Sequence, residues 1–285
     1  MLKPILQDDA LIREILDAIP PQDGFLMWWL GQSGFLFKDE RGFVLIDPYL
    51  SDSLTRKYAG TTKPHIRLTE KCLDPGTLGF VDLVLSTHGH TDHFDPETLR
   101  AIASAEGRRA ALTVVVPASQ KERAHALLKT STVTVVPIDA GQRVQVVSHW
   151  VTATPAAHTQ IEQDAAGHHL YLGYLMEIGS WRVYHSGDTV LHPDVRQAAC
   201  KLRPTFALLP INGNDPRRGV AGNLNEQEAA EFARELGVAT VVPHHFEMFA
   251  FNTGSSSAFA TACKRLGVRY DIVKCGAKRT FPVPT

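Results

Sequence analysis

Apolar and β-branched residues recur along this chain in short runs, at residues 25–30, 35–37, 43–46, 81–86, 112–116 and 133–136. They continue at 144–147, 151–153, 170–178, 181–185, 206–210 and 239–243. Some alternate with a period of two and others are apolar throughout, as strands buried on both faces are. Helical patterns lie between and around them. Residues 9–19 put Leu11, Ile12, Ile15, Leu16 and Ile19 on one stripe. Asp95, Pro96 and Glu97 read as an N-cap followed by proline at the first helical position, opening a helix over 96–105. Ser119 and Glu122 have the spacing of a capping box, for a helix to about Lys129. Asn225 and Glu228 form a looser box for a helix that stops at Gly237, and Ser255 opens a last one ended by Gly267. Strand-rich blocks with helices before, between and after them predict an α/β fold: an αββα sandwich, two mixed sheets flanked by helices on both outer faces. No linker and no short repeat divides the pattern, so one domain over residues 1–285 is expected.

Composition narrows the partners more than the fold. A length of 285 residues lies within the roughly 250–300 that one core supports. The formal net charge is −1, and the densest basic points are the pairs Arg108-Arg109 and Arg217-Arg218. No nucleic-acid surface is expected from that balance. The first residues carry acids early and do not read as a secretory leader. The run at 25–30 is far below the ~20 residues of a membrane span. Cys72, Cys200, Cys263 and Cys275 are scattered, with no CxxC, which argues against a disulfide framework or a thiolate zinc site. The expectation is a soluble cytoplasmic protein, monomeric or homo-oligomeric, acting on a small molecule.

The chemistry concentrates in "LSTHGHTDHFD", residues 85–95, where three of the chain's 13 histidines fall within six positions. This HxHxDH run follows the strand at 81–86 and precedes the helix capped by Asp95, so it occupies a loop at a strand's C-terminal end. Clustered imidazole and carboxylate groups suit Zn²⁺, and also Mn²⁺ or Fe²⁺. Other strands run straight into further donors: 151–153 into His158, 181–185 into Asp188, and 239–243 into His244 and His245.

In this order the motifs resemble the metallo-β-lactamase superfamily. The segments "MWWLGQSGF", "FVDLVLSTHGHTDHFD", "VYHSGDT", "NDPRRG" and "VVPHHFEMF" are most similar to its ascorbate-6-phosphate lactonase-like branch. The resemblance implies an αββα sandwich with two divalent metal ions along one edge. By position, His88, His90 and His158 would hold the first ion. Asp92, His93 and His245 would hold the second, with Asp188 bridging. Asp47, His185 and His244 are implied as residues that orient the ligands, and Asp92 as a proton carrier in catalysis. Diiron members of the superfamily typically carry Glu where His90 stands.

The reaction so implied is hydrolysis by water activated between the ions, on a lactone or other ester of a sugar-phosphate-like compound. The alternative is a phosphodiesterase acting on a small phosphodiester or nucleic acid with the same ions. For substrate contacts the sequence offers the loop at 211–223, with Asn214, Arg217 and Arg218 able to pair with a phosphate or carboxylate. The stretch "TRKYAG", residues 55–60, supplies a similar cationic and aromatic mixture.

Overall fold

The apolar runs form two sheets. β1 (Phe25–Gly31), β2 (Gly34–Asp39), β3 (Gly42–Ile46), β4 (Leu83–Leu85), β5 (Leu112–Pro117) and β6 (Val133–Ile138) build the first. β7 (Arg143–Val146), β8 (His149–Pro155), β9 (Leu172–Ile178), β10 (Trp181–His185), β11 (Phe206–Pro210) and β12 (Thr240–His244) build the second. A last strand, β13 (Lys278–Phe281), returns to the edge of the first sheet beside β1. The orders are β13-β1-β2-β3-β4-β5-β6 and β12-β11-β10-β9-β8-β7. Both are mixed: β3 to β6 run parallel, as do β10 to β12, and the other pairings are antiparallel. This computed structural model describes residues 1–285 except 109, 130, 131, 220, 221, 284 and 285. Arg109 and two residues of the 211–223 loop therefore lie outside the described residues.

The sheets face each other across an aromatic core. Phe25 of β1 meets Trp181 of β10 and Phe206 of β11 edge-on, each at 5.7 Å between centroids. Edge-to-face packing of this kind adds about 0.5–1.5 kcal/mol per pair beyond the buried area. The helices are α1 (Asp8–Asp17), α2 (Ser53–Lys57), α3 (Pro96–Ala103), α4 (Lys121–Leu127), α5 (Pro193–Lys201), α6 (Glu226–Leu236) and α7 (Ser256–Leu266). α4 covers β5 and β6, while α6 lies on β11 and β12 with α7 against it, giving the expected helical outer layers. No helix among the described residues is long and apolar enough to cross a membrane.

Local chemistry explains most of the element ends. Asn225 and Glu228 close a full capping box on α6, and Gly237 ends it in the left-handed region. Asp95 accepts from the Thr98 N–H at the start of α3. Its other oxygen takes the Ser53 hydroxyl at 2.9 Å, which ties α2 to α3. Two readings need correction, and three elements had no sequence signal. α1 stops at Asp17, because Ala18 turns extended ahead of Pro20 and Pro21, leaving Leu16 and Ile19 exposed. Ser119 is no helix cap: α4 is entered through a 3₁₀ turn, and the Ser119 hydroxyl donates to the His169 carbonyl at 2.8 Å. α2, α5 and β13 carry too few apolar residues for periodicity to reveal them; α5 buries only Val195 and Ala199.

Each parallel strand ends at the same edge of the sandwich, where loops after β4, β10 and β12 meet. The loop after β10 turns at Gly187, with φ +62°. A Cβ there would stand 2.4 Å from the Leu172 carbonyl oxygen. Gly187→Ala therefore combines left-handed strain with a backbone clash. It is expected to cost on the order of 2 kcal/mol or more, read as a lowered midpoint in urea unfolding.

Candidate metal centre

Seven side chains converge at that edge from four loops. The turn after β4 supplies His88, His90, Asp92 and His93, with the Phe94 N–H closing on the His90 carbonyl at 2.8 Å. His158 follows β8, Asp188 follows β10, and His245 follows β12 in a left-handed conformation, φ 61°. Their donor atoms form three overlapping groups: His88–His90–His158, His88–His93–Asp188 and Asp92–His93–His245. Within each group these atoms lie within 4.8 Å of one another. Asp188 sits between the groups, its Oδ2 3.3 Å from the Nε2 atoms of both His93 and His245, and 3.7 Å from that of His158.

The rings are aimed from behind. His93 Nδ1 donates to Asp47 Oδ2 at 2.7 Å. Asp47 is itself fixed by the Thr87 N–H at 2.8 Å and the Thr87 hydroxyl at 2.7 Å. His88 Nδ1 lies 3.1 Å from Thr87 Oγ1, and His158 Nδ1 donates to the Gly222 carbonyl at 2.8 Å. With Nδ1 so engaged, each ring presents Nε2 to the interior, the second-layer pattern that orients metal-bound histidines. His185 shapes the turn before Asp188: its Nδ1 accepts from the Gly187 N–H at 3.1 Å, and its Nε2 donates to the Ser33 carbonyl at 3.0 Å.

The electrostatics favour a cation at the centre. Burial, then the neighbouring His93 and His90, holds the His88 pKa well below the usual value, so this imidazole is neutral and able to ligate. Burial also opposes charge on His93, but Asp188, Asp47 and Asp92 outweigh it and raise its pKa well above the usual value. Asp188 remains ionised despite burial, held low by His93 and His245. Three carboxylates thus press on one point, where a proton and a metal ion compete. Among the described residues, His88 Nε2, His93 Nε2 and Asp188 Oδ1 are buried without hydrogen-bond partners. Such orphans cost roughly 1–3 kcal/mol each if nothing satisfies them. Imidazole and carboxylate lone pairs directed at one point fit a divalent metal ion.

The centre opens into a cleft of ≈ 510 Å³. Lys57 and Tyr58, from the stretch singled out at 55–60, line it with Arg123 of α4. The 211–223 loop behaves differently from expectation. Arg217 is almost fully exposed and folds back on Asp215, with Nη2 2.8 Å from Oδ2. Arg218 is spent on Asn252 Oδ1 at 2.8 Å and the Gly213 carbonyl at 2.7 Å. Asn214 is exposed and packs over Gly222. None of the three lines the cleft; Asn223 does, with its Oδ1 buried and unpartnered. His244 also departs from its expected place. It contacts Ser33 Oγ at 3.0 Å and stacks on His185 at 4.6 Å, touching no candidate ligand. Gln32, in the quoted "WLGQSGF" but given no role from sequence, reaches Asp92 Oδ2 at 2.8 Å. The only signal for it was a polar residue between glycines at the end of an apolar strand.

Residues 43–246 match the family model described as the β-lactamase superfamily domain. A UPF0173 metal-dependent hydrolase of Rubrobacter xylanophilus is 30% identical over 255 residues, covering 87% of this chain and 93% of the relative. Among solved structures, the metallo-β-lactamase fold protein YhfI from Bacillus subtilis aligns with a TM-score of 0.64 at 16% identity, over 90% of this chain and 99% of its own. The isothiocyanate hydrolase from Delia radicum gut bacteria aligns with a TM-score of 0.70 at 19% identity, over 90% and 99%. At these identities the solved structures speak for the fold, whereas the sequence matches reach the family. With its two mixed sheets and a His/Asp cluster able to bind metal, this chain belongs to the β-lactamase superfamily as a metal-dependent hydrolase.

Proposed function

We propose that this chain hydrolyses a small anionic substrate with two divalent ions, its preferred target being a lactone or other ester of a sugar-phosphate-like compound. The observation that carries this reading is the convergence of seven donors, among them His88 Nε2, His93 Nε2 and Asp188 Oδ1, which are buried without a hydrogen-bond partner among the described residues. His88, His90 and His158 would hold one ion, and Asp92, His93 and His245 the other, with Asp188 shared. Zn²⁺ suits the donor set best, and Mn²⁺ or Fe²⁺ accept the same ligands. Bound there, such ions supply Lewis acidity and bring the acidity of water toward neutral pH.

The protein's own groups do the rest. Asp92 is more open to the cleft than Asp188, 17% exposed against 3%. It is the carboxylate placed to take a proton from the attacking water and return it to the leaving oxygen. Lys57 and Arg123 line the same cleft, and neither is ion-paired among the described residues, although Arg123 Nη1 donates to the Gly89 carbonyl and lies 3.3 Å from Gln120 Oε1. Lys57 Nζ lies 5.1 Å from the Tyr58 ring centroid, and the Arg123 guanidinium 5.2 Å from that of Phe94. Aromatic backing of that kind holds a cation without neutralising it, leaving it for a phosphate or carboxylate. The free Asn223 Oδ1 suits a hydroxyl or N–H on the substrate. The same cations give a second reading some support, a small phosphodiester. The chain's expected setting is soluble and cytoplasmic.

Elemental analysis paired with a screen of lactones, esters, amides and phosphodiesters on metal-loaded protein tests the substrate. Cleavage of phosphodiesters with lactones untouched would overturn the first choice. His88→Ala combined with His93→Ala is expected to strip most of the bound metal; unchanged metal content would sink the ligand assignment. Asp92→Asn is expected to lower turnover by about 10²-fold or more, the usual scale for a lost general acid–base. Full metal content with unchanged turnover would remove Asp92 from that role. Lys57→Met should raise KM for an anionic ester about tenfold, from a lost charged hydrogen bond, and leave its uncharged analogue alone.

A further inference from the structure

The loop at the tip of the β1–β2 hairpin, Gly31 to Gly34, joins the first sheet to the loops of the second. The Gln32 carbonyl accepts from the His245 N–H and from Trp29 Nε1, each at 3.0 Å. Ser33 meets His244 and His185. Gln32 is fully buried and takes a left-handed φ of 50° to reach this position. Its side chain then points at the centre: Nε2 lies 2.8 Å from Asp92 Oδ2, and 3.1 and 3.4 Å from the two ring nitrogens of His245. Near contact with both nitrogens places the amide against the ring and not along one lone pair. The amide oxygen, Oε1, is buried without a partner.

This makes the two halves of the cluster unequal. His88 and His158 are held by Thr87 and by the Gly222 carbonyl. His93 is held by Asp47. Asp92 has no hydrogen-bond donor other than Gln32 among the described residues, and its remaining neighbours are the imidazoles of His93 and His245. A carboxylate on a turn, with freedom to rotate, keeps a fixed place only where a donor holds one of its oxygens.

We infer that Gln32 is the positioning residue of the second ion site, holding Asp92 and His245 at ligating distance, so that loss of its amide empties this site while the first stays filled. The inference rests on the two-ion reading above. Its backbone and side chain separate cleanly. The bonds from Trp29 and His245 go to the main-chain carbonyl, which Gln32→Met preserves, whereas the amide contact with Asp92 disappears.

The test is a Mn²⁺ titration of the cation-stripped full chain, followed by electron paramagnetic resonance and calorimetry, for wild type, Gln32→Met and Gln32→Asn. The asparagine variant keeps an amide too short to reach Asp92 and guards against a methionine that disturbs packing. Wild type is expected to bind two ions. Both variants should keep the affinity of one ion within about threefold and lose about 10–100-fold at the other, the scale found for partners behind metal ligands. Two ions bound by a folded variant with wild-type affinities, or an equal loss at both sites, would overturn the role of Gln32 alone. Failure of the wild type to bind any Mn²⁺ or Zn²⁺ would overturn the two-ion reading and this inference with it.

Discussion

The arrangement depends on one electrostatic constraint: Asp188 is an ionised carboxylate, 3% exposed, with one oxygen that no protein group satisfies. A buried carboxylate in that state is tolerable only beside positive charge. Among the described residues no Lys or Arg is ion-paired with it, and imidazoles surround it instead. His93 is pushed toward its charged form by Asp188, Asp47 and Asp92, whereas His88 is held neutral, so a divalent cation can replace that proton and use both lone pairs. That requirement orders the surroundings, from the Asp47–Thr87 pair that fixes His93 to the glycine turn that carries Asp188 to its place.

Meeting the constraint needs both sheets. One contributes the HxHxDH turn after β4, the other contributes His158, Asp188 and His245, and neither set is complete alone. The hairpin tip at Gln32 and Ser33 crosses between them by hydrogen bonds to Asp92 in the turn after β4, to His245 after β12, and to His185 and His244 at the ends of β10 and β12. A smaller apolar cluster of Tyr49, Leu54, Met248 and Phe249, with Tyr58 and Phe251 against it, stands apart from the main core. It carries the wall of the cleft that bears Lys57. The His/Asp cluster is therefore rooted in the sandwich edge, whereas this wall rests on its own small core.

Donor residues at strand ends are legible in sequence because both signals are local. An apolar run marks the strand, and the residue types that follow are rare outside metal sites when clustered. The two-sheet architecture followed from the same runs, with β13 escaping because Lys278–Phe281 is an edge strand with mixed polarity. What failed was whatever depends on which partner a polar side chain finally takes. Arg217 and Arg218 look like substrate contacts in sequence, but Asp215 and Asn252 occupy them. Ser119 looks like a cap, but the His169 carbonyl takes its hydroxyl. Gln32, Arg123 and Asn223 gain their meaning only from residues that folding brings beside them. Amide and guanidinium groups carry no local mark that separates a site from a surface.

Anomalous diffraction from crystals grown with Zn²⁺, recorded on both sides of the zinc absorption edge, addresses the central claim without reference to any substrate. The account predicts two anomalous peaks on either side of Asp188 Oδ2, one among His88, His90 and His158 and the other among Asp92, His93 and His245. A cluster with no anomalous peak, or zinc bound only elsewhere on the chain, would contradict it.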